Sequence, residues 1–244
     1  MTGCPLNLWR LGALAALSPG QTLVPGVEAH QACVMRSLSI DVVSDVICPW
    51  CLIGTRRLDA ALLALPDVQA EVTYRPFLLD PTTPPEGQDL RERLRKKYGG
   101  DPEAMFARVE AAARESGIPL DFAKVRRTVS TLPAHTLLRH AIAKGTQRAL
   151  AHRLFDAYFL EGKDVGQPEV LAELAGPLGF EPAETKAILA DAKELERTRQ
   201  EAAAMSAEGI SGVPFFVFGG RLAVSGAQAV DVLRKAAEQA SREG

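Results

Sequence analysis

Two cysteines at Cys48-Pro49-Trp50-Cys51 are the residues of this chain best suited to covalent chemistry. At that spacing the first sulfur can attack an external disulfide, and the second can then displace whatever the first has captured. Zinc is the competing use of such a pair. It takes four ligands, however, and the sequence offers neither a second CxxC nor a paired histidine. No metal and no bound cofactor are therefore expected.

The reactivity of the pair depends on where the backbone puts it. Residues 37–44, S-L-S-I-D-V-V-S, form a β-branched run suited to a buried strand. Leu52, Ile53, Leu58, Ala61, Leu62 and Leu65 then recur at helical spacing up to Pro66. The cysteines thus fall in the first turn of a helix, where unpaired N–H groups and the positive end of the helix dipole favour a thiolate. Such settings bring a cysteine pKa from about 8.5 to between about 3.5 and 7.5. Cys48, nearer the helix start and solvent, is the expected nucleophile, and Cys51, one turn deeper, the expected resolving thiol. Pro49 sets φ at the first helical position without removing a needed N–H. Trp50 offers a flat apolar surface for a substrate, or for packing. Two roles stand open for Asp45, three residues ahead of Cys48: accepting the proton of Cys51, or satisfying loop amides as an Asx-turn.

The elements that frame this junction follow from the rest of the pattern. Residues 71–77 alternate as a strand and run into a proline-rich loop at residues 80–85. From 87 to 208 the period is helical, punctuated by Pro102, Pro119, Pro133, Pro168, Pro177 and Pro182 near helix ends. Residues 213–218 read as a strand, Gly219-Gly220 as a hairpin turn and 221–224 as its partner, with Ser225 capping a helix to 236. A βαβ unit and a ββα unit separated by an all-helical insertion make an α/β, thioredoxin-like plan. The expected domains are 37–85 with 209–244, and the insertion at 86–208.

With 244 residues, 47% hydrophobic and a net charge of -2, the chain can bury a substantial core. It has no basic stripe that would recruit nucleic acid and no apolar run long enough for a membrane span. The charge run from Arg91 to Lys97 reads as a solvated helix face, with a docking surface for acidic partners as the alternative. Residues 1–36 read as an extension ahead of a natural start at Met35, with an export signal as the competing account. The first reading leaves Cys4 and Cys33 as bystanders and suits a cytoplasmic dithiol; the second would export the protein.

Beyond these physical signals, the stretch Ser44-Asp45-Val46-Ile47-Cys48-Pro49-Trp50-Cys51-Leu52-Ile53-Gly54 resembles the active-site motif of DsbA-family oxidoreductases of the FrnE type. Residues 208–218, with Gly212-Val213-Pro214-Phe215 at their centre, resemble that family's proline loop, and residues 158–164 and 220–228 continue the likeness. The resemblance implies a DsbA-like fold and a thiol–disulfide oxidoreductase. It also implies a cis Pro214 against the dithiol, with Val213 exposing its backbone to an extended substrate, and His135 lining the facing cleft. A lone helix histidine is otherwise more often a satisfied polar residue.

The implied partners are protein or small-molecule thiols and disulfides, with glutathione as a candidate redox partner. The same superfamily includes 2-hydroxychromene-2-carboxylate isomerases and kappa-class glutathione transferases, which usually carry serine at the position of Cys48. The alternative function is accordingly a glutathione-dependent isomerase or transferase acting on aromatic molecules. Oligomeric state is not legible.

Overall fold

The structure, a computed structural model, describes residues 35–243, so Cys4, Cys33 and both readings of the first residues lie outside the described part. Strand β1 (Arg36–Ser44) leads through the Cys48 loop into helix α1 (Pro49–Leu63), which crosses to β2 (Val68–Pro76). The two strands pair in parallel from Arg36 opposite Val68 to Ser44 opposite Pro76.

Between β2 and the next core strand come β3 (Gln88–Asp89), α2 (Leu90–Tyr98), α3 (Pro102–Glu115), β4 (Arg127–Thr128) and α4 (Leu132–Ala143). They are followed by α5 (Gln147–Phe159), α6 (Pro168–Ala175), α7 (Pro182–Ala190) and α8 (Ala192–Ala207). The chain returns through β5 (Phe215–Phe218) and β6 (Leu222–Ser225) and finishes in α9 (Val230–Arg242). The core sheet has the order β2-β1-β5-β6, with β5 antiparallel to β1 and β6 antiparallel to β5.

β1 buries alternate residues, Leu38, Ile40 and Val42, on one face before Val43 is buried on the other. Leu38, Ile40 and Val42 join Leu52 and Leu58 of α1 and Leu233 and Ala237 of α9 in one core. On the opposite face Val43 meets Phe77 and Ile210, with Met205 of α8 packed against them. The main core continues without a break into the inserted helices through Leu137, Leu154, Phe155 and Phe159.

The proline punctuation has a local cause. Proline occupies the first turn of α1, α3, α4, α6 and α7, where its missing N–H has no helical partner to lose. Asp89, Asp101 and Asp191 cap α2, α3 and α8 by accepting backbone N–H groups.

Three local expectations shift. The strand expected from residue 213 starts its ladder at Phe215, since Pro214 has no N–H to donate. Ser225 does not cap a helix: it closes β6 opposite Phe215, and Gly226 at φ 81 turns the chain before α9 opens at Val230. The insertion also carries a short ladder, Gln88 opposite Thr128 and Asp89 opposite Arg127, which is too brief to show alternation in the sequence. Among the described residues no helix is long and apolar enough to cross a membrane.

Candidate dithiol active site

Cys48 is the N-cap of α1, with extended backbone angles (φ -89°, ψ 113°). Its N–H donates to the Asp45 carbonyl at 2.9 Å, and its own carbonyl accepts from Cys51 N at 3.0 Å and Leu52 N at 3.2 Å. The turn from Asp45 to Cys48 is thereby closed, and the first sulfur sits at the open end of the helix. Its thiol donates to the Val213 carbonyl at 3.6 Å, across 165 residues of sequence. The Val213–Pro214 bond is cis. Pro214 itself is buried and seats on α1: a Cβ built on Gly54 would lie 2.8 Å from Pro214 Cγ. That close approach is the reason a glycine stands in the middle of the helix.

Both cysteines are free thiols, with Cys48 only 4% exposed and Cys51 fully buried. Burial pushes the Cys51 thiol well above its ordinary range; its hydrogen bond to Cys48 and the Cys48 charge push the same way, while the Asp45 backbone N–H offsets part of this. The two cysteines lie one turn apart at the start of α1, where Cys51 N donates to the Cys48 carbonyl at 3.0 Å.

Asp45 is fully buried, and its side chain reaches away from its own turn. One carboxylate oxygen accepts the Leu79 backbone N–H at 2.8 Å, and the other lies 3.3 Å from His135 Nε2. The Asx-turn reading therefore gives way to a long-range one: Asp45 ties the redox loop to the segment after β2 and to α4. His135 is corrected in position as well. It is 2% exposed and pairs with Asp45 in the interior, and it does not line the cleft. Its α4 neighbours Ala134, Leu137, Leu138 and Ala141 are all buried, so the helix turns this stripe inward and takes the histidine with it.

The cleft in front of Cys48 has a volume of about 390 Å³. Cys48, Pro49, Trp50 and Val213 form its floor, and α2 and α3 of the insertion face them through Leu90, Leu94, Tyr98, Met105 and Phe106. Pro49 and Trp50 are half-buried, in position to meet a bound molecule. The sequence reading missed this facing wall. Its signal was the four-residue spacing of Leu90, Leu94 and Tyr98, a helical apolar stripe interleaved with the conspicuous charges. Those charges are not all solvated: Arg93 turns into an ion pair with Asp80, and Arg91 pairs with Glu103 at 2.6 Å.

A four-stranded mixed sheet, a dithiol at the first strand-to-helix junction and a cis-proline loop against it define the thioredoxin class. Residues 39–238 match the family described as DSBA-like thioredoxin domain, and the chain belongs to that family. It is similar to a probable DsbA oxidoreductase from Streptomyces coelicolor, at 33% identity and a TM-score of 0.76, over 85% of this chain and 91% of that one. The cytosolic disulfide reductase DsbM from Pseudomonas aeruginosa, solved with GSH, shares the fold at 19% identity and a TM-score of 0.60, over 84% of this chain and 99% of that one. The uncharacterized protein YwbO from Bacillus subtilis is 26% identical over 82% of this chain and 96% of its own length. The protein is thus an oxidoreductase-type member of the DsbA-like family.

Proposed function

We propose that the protein exchanges disulfides through Cys48 and Cys51 by way of a mixed disulfide. The Cys48 thiolate attacks one sulfur of a substrate disulfide, forming a Cys48–substrate bond and expelling the other half as a thiolate. Cys51 gives up its proton, attacks the Cys48 sulfur and expels the second half. Two electrons pass from the protein dithiol to the substrate, and the protein is left with a Cys48–Cys51 disulfide. The same steps in reverse oxidise a substrate dithiol.

The observation that carries this reading is the Cys48 sulfur at the open end of α1, 3.6 Å from the Val213 carbonyl, with Cys51 one helical turn behind it. In this scheme Val213 and Pro214 align the incoming chain, Pro49 and Trp50 contact it, and Asp45 takes the Cys51 proton. His135, hydrogen-bonded behind Asp45, is assigned a positioning role.

Glutathione is the first small thiol to try as the reductant of the pair, since a cytosolic reductase of this fold was solved with GSH. The proposed compartment is the cytosol, where such a dithiol turns over rather than staples a fold. The test is a single turnover of the reduced protein with bis(2-hydroxyethyl) disulfide. Oxidation of the Cys48–Cys51 pair in the wild type and its loss in Cys48→Ser are expected. Undiminished reaction in Cys48→Ser would refute the assignment. A glutathione-dependent isomerase would instead keep its activity in Cys51→Ser.

A further inference from the structure

We propose that the substrate is a small thiol or disulfide with an elongated apolar body and an anionic end, rather than a disulfide on a folded protein; this rests on the thiol–disulfide reading of Cys48 and Cys51. Access is the first argument. Cys48 is 4% exposed, and its small accessible surface opens into the cleft lined by α2 and α3. A volume of about 390 Å³ falls in the range of small-molecule sites. A loop of a folded protein could not thread it without lifting both helices.

The walls supply the second argument. Leu90, Leu94, Phe106, Phe122 and Phe159 line the passage, which suits a chain of methylenes or a flat apolar group. Large apolar side chains also stand uncovered at its rim: Tyr98 is 58% and Met105 38% exposed. Apolar surface left in water beside a sulfur nucleophile is what a matching ligand would cover.

Charge supplies the third. Three acidic or basic side chains line the cleft: Asp80, Arg93 and Lys97. Asp80 and Arg93 neutralise one another in an ion pair. Lys97 has no carboxylate partner among the described residues; its Nζ touches the Leu79 carbonyl at 3.4 Å and lies 5.2 Å from the Tyr98 ring centroid. The reacting Cys48 sulfur apart, the cleft lining therefore leaves one positive side chain without a carboxylate partner, at its aromatic rim, although the whole chain has a net charge of -2. An anionic end of the ligand placed beside Lys97 would leave its sulfur-bearing end to travel inward to Cys48.

The test uses the pre-reduced protein in single turnovers with three symmetric disulfides of equal length, those of 6-mercaptohexanoic acid, 6-mercaptohexanol and (6-mercaptohexyl)trimethylammonium. In each reaction the disulfide is reduced to two thiols and the protein dithiol is oxidised, so no other redox reagent is needed. Second-order rate constants at low salt are expected to fall in the order carboxylate, alcohol, trimethylammonium, with about fivefold per step as the worth of one exposed unit charge at about 4 Å. The order should flatten in roughly 1 M salt, collapse in Lys97→Gln and be retained in Lys97→Arg. Shortening the six-carbon arm to two should slow the reaction, and insulin should react more slowly than the hexanol disulfide.

A wild type that treats the three alike or prefers the cation overturns the proposal, as does an unchanged order in Lys97→Gln or a faster reaction with insulin. Failure of every disulfide, including bis(2-hydroxyethyl) disulfide, would overturn the thiol–disulfide reading itself. Reaction with all three but no charge order overturns the substrate class alone.

Discussion

Asp45 and His135 meet at 3.3 Å in the interior, 90 residues apart in sequence, and join the redox loop to the inserted helices. Asp45 spends its other oxygen on the Leu79 N–H. His135 is buried and cannot turn to water if Asp45 is lost, whereas Leu79 is half-buried beside the cleft. Asp45→Ala should therefore cost about 1–3 kcal/mol in urea unfolding of the reduced protein, the worth of leaving one buried group, His135, without its partner. Asp45→Asn keeps an acceptor for Leu79 and should cost about 1 kcal/mol.

The same Asp45→Asn variant separates structure from chemistry. If Asp45 takes the Cys51 proton, the second step of exchange slows by about 10²-fold, the usual worth of a positioned base, while the first step keeps its rate. Quenched reactions resolved by mass spectrometry would show the mixed disulfide building up. Equal slowing of both steps would assign Asp45 a purely structural role.

Cys51→Ser isolates the first step. Cys48 should still attack a disulfide and release one thiol per protein, then stop as a stable adduct, because no other cysteine stands among the described residues. The adduct mass and a one-to-one thiol yield are the expected readings. Release of both halves without added thiol would show that Cys51 is not the resolving group.

What the sequence reveals of this site and what it hides divide by range. The Cys48–Cys51 junction and the β5–β6 hairpin are local: a β-branched run, a proline in the first helical turn and, in the hairpin, a glycine pair with positive φ at Gly219 and Gly220 each have their cause within a few residues. His135 is different. Its burial depends on the side of α4 that faces the redox loop, and its partner lies in another element. Arg93 likewise sits in a run of charges whose spacing says solvent, and only the fold brings Asp80 beside it. The cleft's facing wall arises when α2 and α3 close over Cys48, a relation that no window of sequence contains.

Burial holds the Cys51 proton in the reduced protein, and this gives stability a definite pH dependence. The folded thiol titrates higher than the unfolded one, so the native state binds more protons once the pH passes about 8.5, the unfolded value. Cys51's contribution is whole below that point and is lost as the pH rises toward its higher folded value. Between about pH 8.5 and 10 the reduced wild type should lose stability by up to about 1.4 kcal/mol per pH unit more than reduced Cys51→Ser. Parallel unfolding curves for the two proteins across that window would contradict it.

Gly54 tests the seating of α1 on the proline loop. In an exposed helix alanine would gain about 1 kcal/mol over glycine. Here the new Cβ would lie 2.8 Å from Pro214 Cγ, 3.2 Å from Phe216 Cζ and 3.5 Å from Ala227 Cα. A proline ring, a fully buried phenylalanine and a backbone atom have little room to yield, so the helix itself must move. Overpacking of this kind costs about 1–3 kcal/mol, enough to cancel or reverse the helix gain. Gly54→Ala should thus be no more stable than wild type and should exchange disulfides more slowly, because any shift of α1 carries Cys48 away from the Val213 carbonyl. Urea unfolding together with single-turnover rates checks both parts. A variant about 1 kcal/mol more stable with an unchanged rate would show that the contact is slack.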